Sequence, residues 1–152
     1  MTVELPAIFA MAILAALALT ASWIDITTRK IPNWLALISF ATGLLFAGWL
    51  DGIGALPSHL LNFGASLVVG FALYGFKFWG AGDGKLFAAM AAWFPIGDFI
   101  SMVVLMSLVG LIAIFIFFLR HRGKLFKKDA PSIPYGVAIG TGAALTYAYG
   151  LA

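Results

Sequence analysis

The chain has 152 residues, of which 63% are hydrophobic and 10% are charged, against roughly 25% charged in an ordinary soluble domain. Mean hydropathy is +1.06 and the formal net charge is +3. These values exclude a sizeable soluble domain, and the absence of cysteine excludes disulfides, thiolate metal sites and a cysteine nucleophile. The two histidines, His59 and His121, are expected in different loops, so no histidine metal site is expected.

A helix crosses the hydrocarbon in roughly 20 apolar residues. In chain order the sequence predicts six spans, at about 5–23, 33–50, 59–79, 84–97, 99–119 and 133–151, making one all-α membrane domain over 1–152. The first has no preceding positive charge and is long for a signal core, so a retained transmembrane helix is expected. It ends on Asp25, followed by Ile26-Thr27-Thr28-Arg29-Lys30-Ile31-Pro32-Asn33, and Pro32 is placed at the first position of the second helix. The fourth span is short and carries Pro95. It is expected to start inside the membrane behind a recessed glycine-rich loop, which is tolerated only when buried or lining a wet cavity.

All nine basic residues fall in or beside three alternate loops: Arg29 and Lys30; Lys77 and Lys85; and Arg120, Arg122, Lys124, Lys127 and Lys128. The opposite side carries Glu4, Asp51 and Asp98 with no Lys or Arg. The positive-inside rule then puts the three basic loops in the cytoplasm and both termini outside. Asp25 and Asp83 thereby share the cytoplasmic face.

Carboxylates at span ends are functional suspects by default. Asp83 lies in Gly80-Ala81-Gly82-Asp83-Gly84-Lys85, where glycine permits positive φ and close backbone approach. Neither a Walker loop nor a dinucleotide fingerprint fits: Trp79 and Leu86 occupy positions the first needs as Gly and Ser/Thr, and Lys85 a glycine of the second. The plain structural alternatives are that Asp83 caps the fourth helix and that Asp25 is an interfacial charge paired with Arg29. Lys85 either snorkels to lipid headgroups or acts on a nearby acid or the loop. Asp129 is read as a solvated loop acid, the run 120–128 as a topology signal and contact for anionic lipid, and Gly64, Gly70, Gly136 and Gly140 as helix-packing positions.

Three motifs in order resemble the type IV prepilin peptidases. They are Asp25 with Arg29, Lys30, Ile31, Pro32 and Asn33; Gly80, Gly82, Asp83 and Lys85, as Gly-x-Gly-Asp-x-Lys; and Pro134 through Gly142. The resemblance implies an aspartic endopeptidase with Asp25 and Asp83 as the catalytic pair. Gly80, Gly82, Gly84, Lys85, Arg29, Lys30, Pro32 and Asn33 would bind substrate or support the site. The length is similar to the short form serving the Tad (Flp) pilus, without the cysteine-bearing insertion that larger relatives associate with N-methylation. The implied substrates are prepilins or pseudopilins in the cytoplasmic membrane, with no metal, cofactor or nucleic acid. Homodimerisation is left open. The competing classes are a small proton-coupled transporter, since intramembrane acids also serve proton relays, and a non-catalytic subunit of a secretion machine.

Overall fold

The computed structural model describes residues 5–120 and 135–150. Expectations for Glu4, His121, the basic run after Arg120, Asp129 and Pro134 lie outside the described residues. Among the described residues the fold is all-helical: α1 (Leu5–Thr28), α2 (Asn33–Leu50), α3 (Leu56–Gly75), α4 (Ala81–Ala91), α5 (Phe99–Arg120) and α6 (Tyr135–Gly150). Short 3-10 turns, Ile53–Ala55 and Ile96–Asp98, precede α3 and α5.

Local sequence sets the helix ends. Pro6 and Pro57 sit in first turns, where a missing N–H breaks no helical bond. Pro32 is the N-cap of α2, with φ −73° and ψ 147°, one position earlier than the sequence reading placed it. Gly52 adopts φ 86° in the tight turn after α2. α3 lies upstream of its expected span because the chain leaves the helix at Phe76 and Lys77 takes φ 62°. His59 is accordingly a buried residue of α3 and not a loop residue.

Four segments are long and apolar enough to cross a membrane: Leu5–Thr28, Asn33–Leu50, Ile53–Gly75 and Ile96–Ile116. Their outer faces expose large apolar side chains such as Leu19, Leu37, Leu45, Val68, Phe71, Leu111 and Phe115. A face of that kind has lipid as its natural solvent. The chain is a multi-pass membrane protein.

α4 is the exception that organises the rest. Its 11 residues reach only about 16 Å. It packs against α2, α3 and α6, and every residue from Leu86 to Phe94 is buried. A buried helix end leaves orphan carbonyls that water cannot satisfy. Side chains of α3 supply the donors. Asn62 Nδ2 donates to the carbonyls of Phe94 and Pro95 at 3.1 and 3.2 Å. His59 Nδ1 lies 3.0 Å from the Ala92 carbonyl, which can only accept, so this nitrogen carries the proton. The Ile96 N–H in turn donates to Ser58 Oγ, and Trp93 Nε1 donates to the Ser39 carbonyl of α2. These bonds fix α4 along its axis, and so fix the height of Asp83 at its opposite end. The remaining helices close around it, with α1 on α6 and α6 on α5.

Candidate active site

Asp25 lies in the last turn and a half of α1, which continues to Thr28 beyond the expected end of the span. Because α1 packs on α6, this carboxylate points at the start of α6 and is buried, at 5% exposure. The Gly136 N–H donates to Asp25 Oδ2 at 2.7 Å. Gly136 is the second residue of α6, so its N–H has no partner within its own helix. A Cβ built on Gly136 would lie 2.8 Å from Asp25 Cβ and 2.9 Å from Oδ2, so only glycine fits here without a shift.

Asp83 is the third residue of α4 and half-buried. Gly80, not Asp83, is the N-cap, and the Gly80 N–H donates to Asp83 Oδ2 at 2.9 Å. The capping alternative therefore holds in altered form, with the carboxylate reaching back one turn. Both acids are thus held by N–H groups at helix N-termini, where backbone partial charge favours an anion. Among the described residues these bonds leave acceptor capacity on both, since an ionised carboxylate offers about four acceptor positions.

The two aspartates line one cleft of about 610 Å³, with Arg29, Lys30, Lys77, Gly80, Gly82, Trp79 and Tyr135 among its walls. Arg29 and Lys77 follow the last turns of α1 and α3 with φ 55° and 62°. That left-handed conformation costs a non-glycine residue about 1–2 kcal/mol. Cations at helix C-termini recover part of this. The cleft thus gathers three positive side chains around two acids, with strained backbone at two of the three.

Gly82 and Gly84 lie inside the first turn of α4 and not in a recessed loop. Their use is close approach, since neither takes positive φ. A Cβ at Gly82 would meet Ile31 Cβ at 3.2 Å, and one at Gly84 would meet the Gly70 carbonyl oxygen at 3.0 Å. The Gly70–Gly84 contact seats α3 against α4 beside Asp83. Lys85 and Asn33 do not join the cleft. Lys85 Nζ donates to Asn33 Oδ1 at 3.1 Å, tying α4 to the start of α2, and Pro32 caps the start of α2 just before that tie.

Gly136, Tyr135, Lys77 and Trp79 contribute to the site and were not among the sequence candidates. Gly136 was legible as a packing glycine and, with Tyr135, as part of the third motif over 134–142, without a role in the site. The available signal was its place at the second position of a helix, where a free N–H awaits an acceptor. Of the two packing pairs read from sequence, Gly70 and Gly140 meet neighbouring backbone, whereas a Cβ at Gly64 would find nothing within 4 Å.

A family described as the type IV leader peptidase family matches residues 12–120. The chain belongs to the type IV leader peptidase family. The matched stretch contains both aspartates and the whole Gly-x-Gly-Asp segment, and it ends before α6. The Asp25–Gly136 bond therefore joins the matched region to a helix outside it. No curated protein and no solved structure matches the chain significantly. Membership makes this leader peptidase homologue a membrane peptidase by class.

Proposed function

We propose that this leader peptidase is an aspartic endopeptidase that removes the short basic leader of Flp-type prepilins at the cytoplasmic face of the inner membrane. The observation that carries the reading is the shared cleft of Asp25 and Asp83, each held by one helix N-terminal N–H.

Two close carboxylates do not both ionise cheaply, so one stays protonated while the other is charged. The charged one removes a proton from water as the water oxygen bonds to the scissile carbonyl carbon. The protonated one donates to the carbonyl oxygen. Collapse of the tetrahedral gem-diol then breaks the C–N bond: the leaving amine takes a proton from the acid that gained one, and a gem-diol hydroxyl returns its proton to the carboxylate that had given one, which leaves a carboxylic acid product and restores the one-proton dyad. The pair titrates as a unit, so the two roles belong to the dyad. In this reading Arg29, Lys30 and Lys77 hold the substrate backbone or its acidic groups. Gly80, Gly82 and Gly84 let an extended peptide and the neighbouring helices come close, and Lys85, Asn33 and Pro32 keep α4 in register with α2.

Six crossings with both termini outside follow from the charge pattern. α2 alone spans about 27 Å between the end that carries Asn33 and the end that carries Asp51. α4 would complete its passage through the capped stretch Ala92–Asp98. The basic residues would also meet anionic lipid on the cytoplasmic side. The lack of cysteine supports cleavage without N-methylation.

The test is reconstitution of the purified protein with a full-length Flp-type prepilin, with the product read by mass spectrometry. A product shortened by the basic leader, with a free unmethylated N-terminal amine, is expected. An intact precursor, or one cut elsewhere, contradicts the proposal.

A further inference from the structure

The carboxylate cleft does not end at its aromatic wall. Trp79 and Tyr135, whose ring centroids lie 6.1 Å apart, line the cleft on one side and a second depression of about 280 Å³ on the other. That depression runs between α5 and α6, with Gly110, Leu111 and Ile114 on α5 and Ala138 and Ile139 on α6. We infer that this α5–α6 groove receives the hydrophobic helix of the substrate, on the amine side of the bond cut between Asp25 and Asp83. The inference rests on the peptidase reading and names where its substrate is held.

The chemistry changes sharply across the shared wall. The cleft holds two acids and three cations, whereas the described groove offers Ser107 as its one polar side chain beyond the two boundary rings. A chain lying through both must be polar and extended at the carboxylates and apolar immediately after. Trp and Tyr suit such a boundary, with an apolar body and a polar edge. Within lipid, helices associate through close packing because burial of apolar surface gives no drive there. Gly110 provides that close approach: a Cβ added to it would meet only Ala138 Cβ, at 3.6 Å.

The other apolar grooves are less suited. The larger one, of about 480 Å³, lies between Leu37 and Phe40 of α2 and Phe63 and Leu67 of α3. It shares no lining residue with the cleft, and Lys85 and Asn33 stand at its polar end. A smaller one along α3, lined by Phe71 and Tyr74, meets the cleft only at Ala81. Neither shares the Trp79–Tyr135 wall through which the cleft adjoins the α5–α6 groove.

Photo-crosslinking tests this independently of turnover. Benzoylphenylalanine replaces Leu111, Ile114, Leu37 or Phe71 in turn, in an Asp83→Asn background, in membranes containing full-length Flp-type prepilin. Adducts with the precursor at the Leu111 and Ile114 positions, at least about fivefold above the other two, are expected. Equal or greater yield at the Leu37 or Phe71 position overturns the inference, as do adducts at Leu111 and Ile114 with lipid alone. A second variant, Gly110→Leu, extends a side chain into the groove with Asp25 and Asp83 untouched. It should raise KM for the full-length precursor about tenfold at near-constant kcat, the signature of lost ground-state binding. Cleavage of a soluble peptide spanning the cut but lacking the helix should not change. Unchanged KM for the full-length precursor overturns the inference. Failure of the wild type to cleave either substrate strikes the peptidase reading instead, while the crosslinks still report where the helix sits.

Discussion

Gly136→Ala adds one methyl group at the point where α6 meets Asp25. On an unstrained helix this change stabilises by about 0.5–1 kcal/mol, because alanine loses less backbone freedom than glycine. Here the new carbon would stand 2.8 Å from Asp25 Cβ, 2.9 Å from Oδ2 and 3.1 Å from Cγ. Carbon atoms rest at about 3.5–4.0 Å, so the overlap is about 0.7–1.2 Å against a buried side chain. Relief requires α6 to withdraw or Asp25 to rotate. Overpacking of this kind costs about 1–3 kcal/mol, and either movement stretches the 2.7 Å bond from the Gly136 N–H. Displacing a catalytic group by about 1 Å costs on the order of 100-fold in rate. Gly136→Ala should therefore lower the initial rate of prepilin processing in membranes by about two orders of magnitude, and lower thermal stability in detergent. Gly64→Ala is the control, because a Cβ there meets nothing within 4 Å. Processing by Gly136→Ala within about threefold of wild type, with unchanged or raised stability, would refute the assignment of Gly136 as the group that positions Asp25.

Three further outcomes follow from the same geometry. Gly84→Val should abolish processing and lower the unfolding temperature, because its Cβ faces the Gly70 carbonyl at 3.0 Å and backbone cannot rotate aside. Asn62→Leu should destabilise by about 2–6 kcal/mol in detergent unfolding, since it strips the donor from the Phe94 and Pro95 carbonyls at roughly 1–3 kcal/mol each. Lys77→Gly should be more stable than Lys77→Ala by about 1 kcal/mol in the same measurement, because both lose the charge and only glycine adopts φ 62° without strain.

The sequence made the class and the two acids legible for different reasons. Apolar runs of near-constant length announce helices in lipid, and carboxylates stand out against such a background, so Asp25 and Asp83 needed no structure to be singled out. The arrangement of α4 was less accessible. Hydropathy continues without a break through Ala92-Trp93-Phe94-Pro95, so a span of 84–97 looked reasonable, whereas hydrogen bonding ends the helix at Ala91. The buried polar residues of α3 that permit this, His59 and Asn62, gave no periodic signal of their own. The glycines around Asp83 suggested a recessed loop, because glycine serves positive φ and close approach equally well. Only the packing of Gly82 on Ile31 and Gly84 on Gly70 shows which one applies. Lys85 lies two residues beyond the acid in sequence yet bonds to Asn33. On a helix, a residue two positions on projects from a different face.

The most direct test of the two-carboxylate account is prepilin processing by Asp25→Asn and Asp83→Asn, singly and together, in membranes at matched expression beside the wild type. Each single change should cut the rate by about 100-fold or more, the range of one general acid or base. The double variant should be no worse than the weaker single, because the pair acts as a unit. Near-normal leader removal by either single variant would contradict the shared use of Asp25 and Asp83.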